Sequence, residues 1–189
     1  IFFKKKSLFL IIILFIFIES TNLLASDKSK IIDNLNKTQD IKFDFIQISF
    51  DKKESGFCFL KRPHFLKCIY NDENQKELII NRKNLVIHHK KYNKTYFFSI
   101  SKSYFVEILD KEKFKNLIFE KNISLNEKTF EIKYFTEKGE IIFFFEKNTY
   151  NLLGWKIVDI NGNSTSFKIS NIKRNQNLER GIFSIPEIN

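Results

Sequence analysis

The chain has 189 residues, a length that suits one domain with a sizeable core. It contains 23 Phe but only 5 Gly and 2 Pro, and its formal net charge is +10. Because the basic residues are scattered among acidic ones and no nucleic-acid-binding motif accompanies them, the charge does not indicate nucleic-acid binding. With so few glycines, the sequence offers no phosphate-binding loop and no nucleophile elbow. We therefore expect neither an enzyme nor a cofactor.

The N-terminus predicts export. Three lysines at residues 4–6 precede an apolar run over residues 8–18. This order is typical of a secretory signal peptide, and the run is shorter than the roughly 20 residues of a bilayer span. We predict a signal peptide over residues 1–25 and a mature, periplasmic domain over residues 26–189, with a net charge of +8. No cysteine follows the apolar run as an acylation site, so we expect an unanchored product.

The mature chain begins with a helical pattern and continues with strands. Apolar residues at helical spacing predict a helix over residues 27–37. Alternating apolar residues then predict a half-buried strand over residues 41–50. Further strands are predicted over residues 56–61, 65–70, 77–81, 85–89 and 95–100.

A second helix and a second group of strands follow. Ser103 can cap a helix over residues 104–119, with a break near Asp110. Strands are predicted over residues 129–135, 140–146, 152–160, 165–172 and 181–185, separated by turn signals such as Asn161-Gly162-Asn163. Together, these strands and helices predict one domain. It is a long antiparallel meander that forms a curved sheet or partial barrel, with short helices over its open side.

Two cysteines flank a predicted turn. Cys58 and Cys68 lie five residues either side of Pro63, so an antiparallel pair centred there places them directly opposite each other. Export would place them in an oxidising compartment, where they can form a disulfide. The alternative is two small buried residues that line an apolar interior.

The three histidines do not predict a metal site. His88 and His89 are adjacent on a predicted strand, so their side chains point to opposite faces, and His64 is distant in sequence. No carboxylate stands isolated in an apolar strand as a general acid would. We predict no catalytic residue and no metal.

Two segments carry a resemblance to a known family. The first is residues 41–47, Ile-Lys-Phe-Asp-Phe-Ile-Gln, followed by residues 56–63, which begin with Gly and close on Arg-Pro. The second extends from Leu153 to Phe183 and carries a strand with Trp, an Asp, a Gly-Asn turn, a Thr-led strand and a final Phe. This ordered set resembles the LolA family of periplasmic lipoprotein carriers.

The resemblance implies a fold and a task. The fold is an unclosed antiparallel β-barrel, or strongly curved sheet, with a helical lid over an apolar cavity. The task is to take acylated lipoproteins from an inner-membrane ABC transporter and deliver them, as a monomer, to an outer-membrane receptor or membrane. The alternative is a secreted sheet protein of the same fold that acts as a lipid or lipoprotein sensor, or as a protein-interaction module.

The resemblance also points to site residues. Arg62 matches the family's Arg of the Arg-Pro motif, which is tied to lid closure, and we expect it to donate hydrogen bonds to main-chain carbonyls of residues 104–109. Cys68 stands where the family usually has a large apolar residue. The acyl chains are expected to contact Phe43, Phe45, Leu60, Leu66, Tyr70, Phe105, Ile108 and Leu109.

Overall fold

The computed structural model describes residues 26–104 and 109–187. Helix α1 covers residues 26–36 and helix α2 covers Lys111–Glu120, and Leu109 is helical as well. The strands are β1 (Asp40–Ser49), β2 (Lys52–Lys61), β3 (Phe65–Tyr70), β4 (Lys76–Asn81), β5 (Asn84–His89), β6 (Lys94–Ser99), β7 (Ile123–Leu125), β8 (Thr129–Thr136), β9 (Gly139–Glu146), β10 (Leu152–Asp159) and β11 (Ser164–Arg174). The predicted signal peptide lies outside the described residues.

All of these strands form one antiparallel 11-stranded sheet in the order β6-β5-β4-β3-β2-β1-β11-β10-β9-β8-β7. The pairing of β1 with β11 joins the two halves of the chain, and the end strands β6 and β7 leave the sheet unclosed. One apolar core contains Leu85 near one end, Ile123 at the other, and residues of both helices. The sheet therefore curls around the helices, and the predicted fold class is confirmed. We call the side that faces the helices the inner face.

The helices cover the inner face because each has one apolar stripe. Ile31 of α1 and Phe114 and Ile118 of α2 are fully buried. The carboxylate of Asp110 accepts hydrogen bonds from the backbone N–H groups of Glu112 and Lys113, and it thereby caps α2. The predicted break at Asp110 is present, and Asp110 caps the helix that follows it. Leu109, before the break, is helical as well, and the cap predicted at Ser103 for that earlier part stays a prediction. Tyr104 lies in a turn, and residues 105–108 are outside the described ranges.

The opposite, outer face of β3 and β4 is covered by the C-terminal segment, residues 175–187. We predicted a strand over residues 181–185, and this prediction is wrong: Arg180–Phe183 form a 3-10 helix. The segment packs across the sheet instead of joining it, with the ring of Phe183 centred 5.6 Å from that of Phe65. Because its apolar residues face the sheet, their spacing in the sequence resembles that of a strand.

The hairpin of β2 and β3 places Cys58 directly opposite Cys68, and their sulfur atoms form a disulfide. The other strand predictions agree with the structure to within a few residues at their ends, with β2 four residues longer than predicted. The three-residue strand β7 was not predicted. Only Ile123 of β7 is buried, so the strand has too little alternation to be recognised from sequence.

Candidate acyl-binding site

A row of aromatic rings crosses the inner face. The ring of Phe45 on β1 lies 4.9 Å from that of Tyr70 on β3, in a T-shaped contact, and 4.9 Å from that of Phe167 on β11, which it stacks on. Phe167 in turn stacks on Trp155 of β10, with ring centroids 4.4 Å apart. Aromatic contacts of this kind contribute about 0.5–1.5 kcal/mol each beyond the area they bury. The row forms an apolar floor beneath the helices.

Gly56 on β2 makes the contact between Phe45 and Tyr70 possible. It is paired with Phe45 on one side and with Tyr70 on the other, so a side chain here would stand between the two rings. A Cβ at this position would lie 2.9 Å from the Phe45 ring and 2.0 Å from the carbonyl oxygen of Ile69. Gly56, which lies within β2 and not at its start, is therefore required by packing.

The structure brings most of the predicted acyl-contacting residues together. Phe43, Phe45, Leu60, Leu66 and Tyr70 are all buried on the inner face of β1, β2 and β3. Burial raises the pKa of the Tyr70 phenol, with the Glu54 and Asp72 charges adding to the shift, and its hydroxyl donates to Oε1 of Gln47.

The remaining predicted residues lie near α2. Leu109 is buried just before the helix, whereas Phe105 and Ile108 are outside the described residues. Sequence reasoning missed inner-face residues on β9 and α2. Phe143, for example, contacts Phe114 of α2 at 4.9 Å between ring centroids. Their signal was the alternation of β9 and the helical spacing of α2.

The polar contacts that hold the helices in place are mostly exposed, and the main exception is Asp27 of α1, which is 9% exposed and accepts a hydrogen bond from the Tyr150 hydroxyl at 2.9 Å. Nζ of Lys28 on α1 donates to the carbonyl oxygen of Phe119 on α2 at 3.0 Å, and Nζ of Lys111 donates to that of Asn36 at 3.1 Å. Nδ2 of Asn34 donates to Oδ1 of Asn151 at 2.8 Å. Exposed contacts made by long side chains contribute little to stability. Apolar burial is thus the main force that holds this cover on the sheet.

Arg62 lies beneath the cover, beside a small cavity of about 40 Å³. Leu35 and Thr38, at the end of α1, line the same cavity with apolar residues of the sheet such as Phe145 and Ile169. Burial lowers the pKa of the Arg62 guanidinium to about 10, so it stays charged at neutral pH. Its Nε is buried and has no hydrogen-bond partner among the described residues. An unpaired buried donor of this kind costs about 1–3 kcal/mol.

A backbone hydrogen bond also links Arg62 to the residues that follow α1. The backbone N–H of Arg62 donates to the carbonyl oxygen of Gln39, just after α1, at 3.0 Å. The expected hydrogen bonds to residues 104–109 involve positions 105–108, which are outside the described ranges, and they stay a prediction.

The open end of the curled sheet is bridged by the residues that follow β6. The Tyr104 hydroxyl donates to the carbonyl oxygen of Lys138 at 2.6 Å, and Nζ of Lys138 donates to that of Ser101 at 2.9 Å. Cavities of about 530 Å³ and about 770 Å³ adjoin this bridge, and Ile100 and Lys113 line both. No pattern in the sequence predicts this opening, because its residues come from segments distant in sequence.

The histidines contribute no metal centre in the part of the chain that the structure describes, where no three His, Cys, Asp or Glu side chains group together as a metal site would require. His88 is buried on the outer face, and its Nδ1 lies 2.9 Å from the hydroxyl of Thr95. No helix within residues 26–104 and 109–187 has both the length and the apolar character to cross a membrane.

Solved structures share this fold at low sequence identity. An uncharacterized conserved protein of Thermus thermophilus superposes with a TM-score of 0.54 and 9% identity, over 84% of this chain and 94% of that one. A chain of the Pseudomonas aeruginosa MucA/MucB complex gives 0.50 and 6%, over 86% and 61%. A LolA superfamily protein of Nitrosomonas europaea gives 0.48 and 8%, over 86% and 97%. Because the identities are so low, the first two superpositions show the fold alone.

At the sequence level, comparison with curated proteins gave no match. The model of the family described as outer membrane lipoprotein carrier protein LolA matches residues 36–186. The match extends from the end of α1 to the C-terminal segment and includes every strand described above. The chain therefore belongs to the LolA family.

Proposed function

We propose that this protein is a periplasmic carrier that shields the acyl chains of lipoproteins between the inner and the outer membrane. The observation that carries the proposal is the buried Nε of Arg62, which lacks a partner among the described residues and lies beside an apolar cavity under α1. A buried donor without a partner calls for an explanation. An ester or amide carbonyl at the head of an acyl chain would supply the acceptor.

The physical problem that such a carrier solves is large. Exposing an acyl chain to water costs about 0.8 kcal/mol per CH₂, so a chain of about 15 methylenes needs roughly 12 kcal/mol of shielding. A pocket that recovered all of this would not release its cargo. A cover held mainly by its own apolar side chains suits the task, because an acyl chain can replace those contacts one for one.

The proposed loading step is displacement of α1. Leu35 contacts the core from α1 and lines the Arg62 cavity, so moving it outward would open a path to the aromatic floor. The arriving acyl chain would occupy the place of Leu35 and Ile31, and its carbonyl would accept a hydrogen bond from Arg62. On release, the helix returns and the apolar contacts re-form. No nucleotide is needed in this cycle, because the energy for loading comes from the donor.

The rest of the proposal follows from the same task. We propose that residues 1–25 act as an export signal and that residues 26–189 form the mature domain. The donor would be an inner-membrane lipoprotein-releasing ABC transporter, and the acceptor an outer-membrane receptor or the membrane itself. The protein would act as a monomer without a cofactor or catalytic step.

The proposal is tested by titrating the protein with a triacylated lipopeptide and with the same peptide lacking its acyl chains. Trp155, the single Trp, stands in the aromatic floor, so its fluorescence reports an acyl chain that arrives there. We expect a saturable change with the acylated peptide alone. Leu35→Gln should strengthen binding about tenfold, because it weakens the closed cover that the acyl chain must displace, whereas Asn36→Gln, on the exposed side of the same helix, should not. Equal binding of both peptides would refute the proposal.

A further inference from the structure

The cavity of about 530 Å³ at the open end of the sheet is lined by an excess of basic side chains. Five segments of the chain contribute to it: the β2–β3 turn, the β4–β5 turn, the bridge after β6, the start of α2 and the C-terminal segment. Four of them supply basic side chains. These are His64, Arg82, Lys83, Lys113 and Arg180.

Within the described residues, the permanent charges of this cavity have no acidic side-chain partner. Among the residues that the structure describes, no side-chain hydrogen bond or ion pair involves Arg82, Lys83, Lys113 or Arg180. The one carboxylate in the described lining is Asp110, and its Oδ1 already accepts two backbone N–H groups of α2 at 3.1 Å.

Elsewhere in the molecule, lysines pair with acidic partners. Lys67 and Lys90 both contact the carboxylate of Glu77, which is 2% exposed, and Lys52 and Lys76 both contact that of Glu54. Like charges brought together from separate segments repel one another, so a shared counter-charge would stabilise their convergence.

The rest of the lining is apolar. Phe65 and Ile100 contribute partly buried side chains, Leu109 is 1% exposed, and Pro63 forms the adjoining turn. A free inorganic anion would leave this surface unused. The volume also lies within the range of about 300–1,000 Å³ that is usual for organic ligands. The lining therefore suits a molecule with an anionic group at one end and an apolar stem at the other.

We propose that this cavity binds the phosphate group of an anionic amphiphile, with its stem on Phe65, Ile100 and Leu109. Arginine matches a phosphate because its planar guanidinium can donate two parallel hydrogen bonds, and lysine adds a point charge. Arg82 and Arg180 reach the cavity from separate segments and act as the two guanidinium donors. The site goes beyond the proposed carrier function, because acyl chains carry no phosphate group for it to bind.

The test is calorimetric titration with two single-chain lipids that share an acyl chain, lysophosphatidylglycerol and lysophosphatidylcholine, each below its micelle concentration. The first head group is anionic and the second zwitterionic. We expect the anionic lipid to bind roughly tenfold more tightly, and salt to reduce that preference. The double variant Arg82→Gln/Arg180→Gln should lose the preference. The control Lys133→Gln/Lys173→Gln removes two exposed charges outside the cavity and should retain it.

Two further titrations separate this site from the acyl site. Inorganic phosphate should compete with lysophosphatidylglycerol only at much higher concentration, because it lacks the stem. The double variant should still bind the triacylated lipopeptide as the unmodified protein does. Because the two sites are titrated separately, the lysolipid result can be interpreted even if the lipopeptide does not bind. Equal affinity for the two lysolipids, an unchanged preference in the double variant, or inorganic phosphate binding as tightly as the lipid would each overturn the inference.

Discussion

The sheet has two covers, one on each face, and they are attached differently. On the outer face, the carboxylate of Asp40 accepts hydrogen bonds from the backbone N–H groups of Gln176 and Leu178, at 2.6 Å and 3.2 Å. Asp40 is 4% exposed. Nζ of Lys61 donates to the carbonyl oxygen of Leu178, and Nδ2 of Asn81 donates to that of Phe183. On the inner face, the helices are joined to each other by exposed hydrogen bonds of Lys28 and Lys111, and Asp27 is the one buried carboxylate of α1 among the described residues, with one hydrogen bond from Tyr150.

This difference predicts that the C-terminal segment stays on the sheet, whereas the helices can move away from it. A buried carboxylate that loses its partners is left without hydrogen bonds, so lifting the C-terminal segment costs far more than the contacts suggest. Exposed lysines regain water when the helices move, so lifting α1 and α2 costs mainly apolar burial, which an acyl chain can restore. Variants of the two covers test this contrast, from the largest expected effect to the smallest.

Phe183→Ala should lower the free energy of unfolding by about 3–5 kcal/mol, because it removes a fully buried ring from the outer face. Phe119→Ala is the matched control, since the Phe119 side chain on α2 is 72% exposed, and its effect should stay within about 0.5 kcal/mol. Urea denaturation monitored by circular dichroism measures both. Equal effects in the two variants would mean that the C-terminal segment is not a fixed cover.

Asp40→Ala should cost about 2–3 kcal/mol of unfolding free energy, because two backbone N–H groups of the C-terminal segment lose their acceptor. Asp33→Ala, an exposed position on α1, controls for the loss of charge. Hydrogen exchange should show faster exchange at Gln176 and Leu178 in the first variant and not in the second. Protection that survives at both amides would contradict the anchoring role of Asp40.

Arg62→Leu should leave the free energy of unfolding of the empty protein unchanged or raise it by about 1 kcal/mol, because it removes a buried donor that lacks a partner among the described residues. The variant should bind a triacylated lipopeptide more weakly and deliver it faster, since the guanidinium proposed to donate to the acyl carbonyl of the cargo is gone. Transfer to acceptor vesicles measures this, with Lys173→Leu as an exposed control. Delivery at the unmodified rate would exclude a role in release.

Lys28→Ala combined with Lys111→Ala should change the free energy of unfolding by less than about 1 kcal/mol, because both side chains make exposed hydrogen bonds. The amides of α1 should nevertheless exchange faster, while those of β1 stay protected. A loss of protection in β1 as well would show that the helices and the sheet open together, and that the inner cover is not separately movable.

Much of the fold was predictable because antiparallel strands with one buried face alternate strictly. The alternation of apolar residues is enough to predict the strand that contains Phe43 and Phe45. The equal spacing of Cys58 and Cys68 around Pro63 is enough to predict the hairpin that pairs them. The Arg-Pro and Trp-containing segments identified the family, which the family match confirms. The C-terminal segment was misread because apolar residues at strand spacing bury equally well on top of a sheet as within one.

The sequence by itself determined the strands, the cysteine pairing and the family, because each depends on residues near one another or on an ordered motif; the pairing of β1 with β11 and the position of the gap, between β6 and β7, were not predicted. Only the tertiary structure decided which polar residues are buried. Asp40 looks like a surface residue at a strand end until a segment 138 residues later supplies its hydrogen bonds. The cations around Arg82 and Arg180 likewise share a cavity only because separate turns meet at one end of the curled sheet. Such meetings leave no local periodicity, so no pattern within a short window could have predicted them.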